Sequence, residues 1–170
     1  ASAVGNVIHA VLEQLTGNCE RWESERRNWL DGLLAAEGVA AAARDEARAR
    51  VEHQIGNVLA DGRGRWCLQN HPEGATELAL SEVTEHGLRE HVIDRWIGTA
   101  DEHWIVDYKS AAPGQGESRE SFIAREMELY RPQLERYRRA LGAVLSDGHR
   151  GATMRLALYF TAIPEFVELD

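Results

Sequence analysis

Two aspartates and the single lysine of the chain are spaced so that they could act together. Asp94 lies in "VIDRWIG", and Asp107 and Lys109 lie in "HWIVDYKS". If both stretches are strands joined by a turn centred between Ala100 and Asp101, Asp94 falls opposite Asp107, with Cβ atoms about 4.5–5.5 Å apart. Lys109, two residues beyond Asp107, points to the same face, because side chains alternate along a strand. Two carboxylates that close repel, and one ammonium neutralises only one of them. A divalent cation supplies the rest. Hard oxygen ligands suit Mg2+, with Mn2+ as a substitute, better than zinc. The competing explanation is a surface hairpin with a cross-strand salt bridge. Against it, Ile105 and Val106 put apolar side chains on both faces of the strand, as expected of a strand covered on both sides.

Of the 19 lysines and arginines, Lys109 is the one lysine. Arginine is a planar fork that stays protonated, whereas lysine is a compact cation whose pKa falls when it is desolvated or crowded by a metal. Holding or deprotonating a water, or meeting charge on a phosphate, can require the second and reject the first.

The elements that must carry these residues follow from periodicity. Val4, Ile8, Val11, Leu12 and Leu15 recur at helical spacing and Gly17-Asn18 offers a stop. A second helix is predicted over about 20–37, and Gly38 separates it from a third that reaches about Ala60, after which "DGRGRW" breaks the pattern. From Ala75 the period changes: "TELALSEV", "REHVIDRWIG" and "HWIVDYKS" read as three successive strands. The polar loop "APGQGESRE" comes next. Helical period returns in "FIAREMELYRPQLERYRRALGAVL", with Pro132 at the first turn of a new helix. "TMRLALYFTAI" is a strong last strand and "PEFVELD" a weaker one. The order predicts an α/β fold with a central mixed sheet flanked by helices, preceded by a helical segment over 1–60, with an α/β core over 75–170. The expectation is one domain over 1–170, cut from something longer.

Composition narrows the classes. A chain of 170 residues, 44% hydrophobic, can bury a core of its own. No apolar run approaches the roughly 20 residues of a membrane span, and no basic segment leads into an apolar one at the start, so a cytoplasmic location is expected. The two cysteines, Cys19 and Cys67, are too few for a four-thiolate metal or iron–sulfur site. The formal charge of −9 argues against coating nucleic acid with the whole surface, though it leaves room for a local groove. Arg136, Arg138 and Arg139 fit a solvated helix face with glutamate partners. No G-x-x-x-x-G-K-[ST] occurs, so the chain has no P-loop of its own.

Taken as a set, these pieces resemble a known family. "VIDRW" followed by "WIVDYKS" resembles the signature of the PD-(D/E)XK nuclease superfamily in its D-x-K form, and "YRPQLERY" resembles the Q-x-x-x-Y motif of the RecB-like branch. "GNVIH" is similar to the G-x-x-x-H that opens nuclease domains of that branch. "TELALSEV" is similar to the acidic strand segment of the C-terminal nuclease domain in UvrD/RecB-like helicase–nucleases. The match runs from Gly5 to Tyr137.

The resemblance implies a restriction-endonuclease-like core and Mg2+-dependent hydrolysis of DNA. The substrate would be single strands fed by helicase domains during end processing or recombinational repair. It implies His9, Asp94, Asp107 and the main-chain carbonyl of Tyr108 as metal ligands, and Lys109 as the catalytic lysine. Gln133 and Tyr137, four apart and so on one helical face, would support the site. Glu77 would be the acidic residue of the first strand, with Glu82 as its alternative. His53, His71, His86, His91, His103 and His149 show no ligand spacing. Two other readings stay open: a catalytically inactive nuclease-fold module that holds DNA ends or docks a subunit, and a free-standing nuclease.

Overall fold

The computed structural model describes residues 2–145 and 152–169; His149 and Asp170 lie outside the described residues. The described chain forms two compact units.

The first unit holds residues 2–70 with the short segments 108–111 and 160–165. Its helices are α1 (Ala3–Leu15), α2 (Arg21–Ala36), α3 (Arg44–Ala60) and α4 (Gly62–Leu68). Ser2 caps α1 by accepting a hydrogen bond from the Gly5 N–H at 3.1 Å. At the other end the chain leaves the helix through Gly17, whose φ of +75° is the left-handed conformation that favours glycine. The apolar stripe Val7, Ile8, Val11, Leu12 and Leu15 is buried with Leu30 and Leu34 of α2 and Val51, Ile55 and Val58 of α3. Val4, Ile8, Val11, Leu12 and Leu15, the α1 positions that the helical spacing predicts, are all buried.

At "DGRGRW" the sequence shows a break, and the structure shows a break followed at once by a helix. Asp61 is extended (ψ 137°), and its carboxylate accepts from the Gly64 N–H at 2.7 Å, starting α4. The residue that ends one helix caps the next, so the glycines do not prevent it.

The second unit holds residues 71–107, 112–145, 152–159 and 166–169. The strands are β1 (Glu73–Thr84), β2 (Gly87–Gly98), β3 (Glu102–Lys109), β4 (Thr153–Phe160) and β5 (Glu165–Leu169), in spatial order β1-β2-β3-β4-β5; all their residues belong to this unit except Tyr108, Lys109, Phe160 and Glu165, which belong to the first. β1 and β2 pair antiparallel, as do β2 and β3. The Thr153 N–H donates to the Asp101 carbonyl and the Thr161 N–H to the Lys109 carbonyl, with the same sequence offset, so β4 runs parallel to β3. The connection between them carries α5 (Arg119–Val144). The sheet is therefore mixed and flanked by helices, the restriction-endonuclease-like α/β arrangement. Arg155 of β4 ties its lower end together: it donates to both oxygens of Glu168 (2.6 and 2.7 Å) and to Glu102 (2.7 Å), and lies 4.5 Å over the Trp104 ring.

Pro132 does not open a new helix; it lies inside α5, which runs unbroken across it. Proline there removes one donor from the helical ladder. Pro132 is exposed, whereas Phe122, Met127, Leu134, Tyr137 and Leu141 are buried on both sides of it in sequence. The freed carbonyl can turn to water while the buried stripe holds the two halves in line. As expected, the arginine cluster at its end is a solvated face: Arg138 pairs with Glu135, and Arg139 is exposed. Among the described residues no helix is long and apolar enough to cross a membrane.

Candidate active site

The hairpin that presents the aspartates comes from the turn after Gly98. The Thr99 N–H donates to the Glu102 carbonyl at 2.9 Å, and the strands then pair from Gly98↔His103 to Arg95↔Val106. The paired residues end at Arg95↔Val106; the same register carried one step further would set Asp94 against Asp107. β3 is buried along its length, with Ile105 and Val106 at 0% exposure and Asp107 at 3%. A carboxylate there has left water almost completely, which costs free energy unless polar partners or a cation meet it.

One partner is on α5. The Gln133 Nε2 donates to Asp107 Oδ1 at 2.9 Å and to Tyr137 Oη at 2.8 Å. Because a carboxylate can only accept, the amide must turn its nitrogen to Asp107, and its second proton then goes to the phenol. Tyr137 is buried, and burial, with help from Asp107 and Asp94, pushes its phenol up to about 12. At any working pH it is neutral and cannot serve as a base.

β1 contributes Glu77. The β1–β2 ladder runs through Thr76↔Arg95 and resumes at Leu78↔Ile93, missing the step at which Glu77 would face Asp94. Glu77 has φ +46°, the one described non-glycine residue in the left-handed region. A carboxylate oxygen of Glu77 lies within 4.8 Å of one of Asp94. A strained residue holding an exposed carboxylate beside another carboxylate is the kind of arrangement that persists where a cation is to be held. Glu77→Gly is therefore expected to raise stability by about 1 kcal/mol, since glycine adopts this φ without the penalty of roughly 1–2 kcal/mol that other residues carry. It is also expected to lower the nuclease activity that the family resemblance implies at least about tenfold, because the carboxylate is gone. Thermal unfolding beside a cleavage assay checks both signs, and a variant that is more stable and fully active would remove Glu77 from the site.

His9 and Lys109 are positioned by contacts within the first unit. The His9 ring meets the Tyr108 ring edge-on, with centroids 6.4 Å apart. One turn earlier on α1, Gly5 lies so close to Ser110 that an added Cβ would sit 2.9 Å from its Oγ. The G-x-x-x-H spacing thus lets α1 approach the end of β3 at Gly5 and present His9 one turn later. The carbonyl of Lys109 is fixed by the Thr161 N–H (2.9 Å), while the Thr161 hydroxyl donates to Gln54 Oε1 and the Gln54 Nε2 donates to the Ser110 carbonyl at 3.3 Å. The end of β3 that carries the lysine is held by backbone and buried amide contacts, and its half-buried side chain extends from a fixed base.

Sequence reasoning set His91 aside. It is 6% exposed, its Nε2 lies 2.9 Å from Glu82 Oε2, and its ring meets Tyr137 edge-on at 5.9 Å. The hydrogen bond from His91 holds the Glu82 carboxyl below its usual range, with burial opposing. Glu82 is thus engaged with His91, while Glu77 is the acidic residue beside Asp94. The signal was present in the turn "TEHG", which sets Glu82 against Arg89 and so places His91 diagonally across from Glu82.

The donors of the second unit fit a hard divalent cation: carboxylates from neighbouring strands, Glu77 beside Asp94. A search among curated proteins finds no match. A family model described as the PD-(D/E)XK nuclease superfamily matches residues 1–167. With that match over nearly the whole length, and with the D-x-K strand built as described, the chain belongs to the PD-(D/E)XK nuclease superfamily of metal-dependent nucleases.

Proposed function

We propose that this domain is a Mg2+-dependent deoxyribonuclease of exonuclease type. It acts on single-stranded DNA delivered by helicase domains of the same parent protein or complex, in DNA end processing and recombinational repair. The observation that carries the nuclease reading is the meeting of Glu77 with Asp94, the residue that the β2–β3 register, carried one step past Arg95↔Val106, would set opposite the buried Asp107. The cation would be held by Asp94, Asp107, His9 and the Tyr108 carbonyl, with Glu77 beside them. When bound, it lowers the pKa of a coordinated water and neutralises charge that grows on the phosphate.

The remaining work falls to the chain itself. Gln133 fixes the rotamer of Asp107 by donating to it, and Tyr137 fixes Gln133 by accepting its second proton. With the phenol neutral, Lys109 is the group on the same face of β3 as Asp107 that orients the attacking water and helps remove its proton.

The RecB-like assignment and the helicase association rest on the "GNVIH" and "YRPQLERY" resemblances. A charge of −9 agrees with a motor or partner that supplies most of the grip on DNA. Labelled single- and double-stranded DNA incubated with the domain and Mg2+ or Mn2+ tests the reading. Cleavage of single strands from an end, abolished by a chelator, is the expected result. Uncut DNA with an intact fold would instead favour the inactive module that holds ends or docks a subunit.

A further inference from the structure

Four residues beyond the metal-facing set form a continuous series of contacts that ends on Asp107. Glu82 on β1 meets His91 Nε2 on β2, and since a carboxylate only accepts, that nitrogen carries the proton. This bond orients the imidazole ring. The His91 ring meets the Tyr137 ring edge-on with an interplanar angle of 76°. Tyr137 Oη accepts from Gln133, and Gln133 donates to Asp107. All five residues lie in the second unit. The contacts join β1 and β2 to α5, and α5 back to β3.

We infer that His91 is a positioning residue: held by Glu82, its ring buttresses Tyr137 and thereby keeps the Gln133 amide on Asp107. The inference rests on the nuclease reading above and extends it to residues that touch neither metal nor DNA. Its chemistry is that of shape. A phenol ring without its edge-on neighbour can tilt about its side-chain bonds, and a tilt that moves Oη releases one of the two bonds that fix Gln133. The carboxylate would then sample rotamers away from the productive one, and a displacement of about 1 Å in a catalytic array can cost on the order of a hundredfold. A proton-relay role is not part of the inference, because the contact between His91 and Tyr137 is ring to ring.

The test compares wild type with His91→Ala and His91→Phe in cleavage of a single-stranded oligonucleotide, and in NMR spectra of the Gln133 side-chain amide. His91→Ala is expected to lower kcat about tenfold with KM for DNA unchanged, and to speed solvent exchange of the Gln133 amide protons at least about tenfold. His91→Phe keeps the edge-on ring and loses only the Glu82 bond, so both readouts are expected to stay within about threefold of wild type. If His91→Ala does not fold, His91→Gln, which retains a partner for Glu82 but no ring, takes its place with the same expected losses. Wild-type kcat and wild-type amide exchange in the ring-less variant would overturn the inference. So would a His91→Phe variant as impaired as His91→Ala, which would assign the role to the imidazole nitrogens. If wild type itself cuts nothing, the nuclease reading fails alone, and the Gln133 amide still decides whether His91 positions it.

Discussion

Asp107→Ala is expected to lower kcat/KM for DNA cleavage by at least about a thousandfold, because a cation that stabilises charge in the transition state contributes several kcal/mol, and each 1.4 kcal/mol is tenfold. Asp107→Asn is the sharper variant. It keeps the shape and can still accept from Gln133, so a structural role would leave it active, whereas a ligand role makes it as inactive as alanine. The fold is expected to survive both changes. Asp107 is 3% exposed, and a carboxylate that has lost its water costs free energy that asparagine or alanine does not incur, so the melting temperature should stay level or rise. Steady-state kinetics beside thermal unfolding measures both. An active Asp107→Asn enzyme would contradict the assignment.

Lys109→Ala is expected to reduce kcat by about a hundredfold to ten-thousandfold, the range for a group that transfers or holds a proton in the transition state. The metal concentration at half-maximal rate should change little, since the ammonium is not a ligand. Lys109→Arg should rescue poorly. A guanidinium stays protonated and is a planar fork in place of a point charge, so it cannot help deprotonate a water. Near wild-type rates with arginine would reduce the requirement to a positive charge and leave the base unassigned.

The hairpin was legible because its signals are local. β-favouring runs on either side of a polar turn fix a register, and the register fixes which side chains meet. The first-unit helices were legible for the same reason: the buried positions of α1 recur at the spacing visible in the sequence. Pro132 was misread because proline at a helix start and proline tolerated on an exposed helix face look alike in a string. Only packing distinguishes them, and here Leu134 and Tyr137 continue the buried stripe of Phe122 and Met127. α4 was missed because glycines normally break helices, and the capping carboxylate of Asp61 outweighed them.

At the site, the residue types were legible and their mutual support was not. The positive φ of Glu77 leaves no trace in composition, since glutamate has no preference for that conformation. His91 looked like an isolated histidine because its partners lie on another strand and another helix. The Gln133 amide bridging Asp107 and Tyr137 follows from Q-x-x-x-Y only once α5 is placed over the sheet. Sequence spacing indicates which side chains share a face, and tertiary packing decides which of them touch.

In the function proposed above, Asp94 of β2 and Asp107 of β3 hold one divalent cation together, with Glu77 of β1 beside them. Crystals soaked in Mn2+ and measured at the manganese absorption edge test it most directly. An anomalous peak is expected about 2.0–2.2 Å from oxygens of Asp94 and Asp107, at the distance typical of a hard octahedral cation. A map with no peak at those aspartates, in crystals that take up manganese elsewhere, would contradict it.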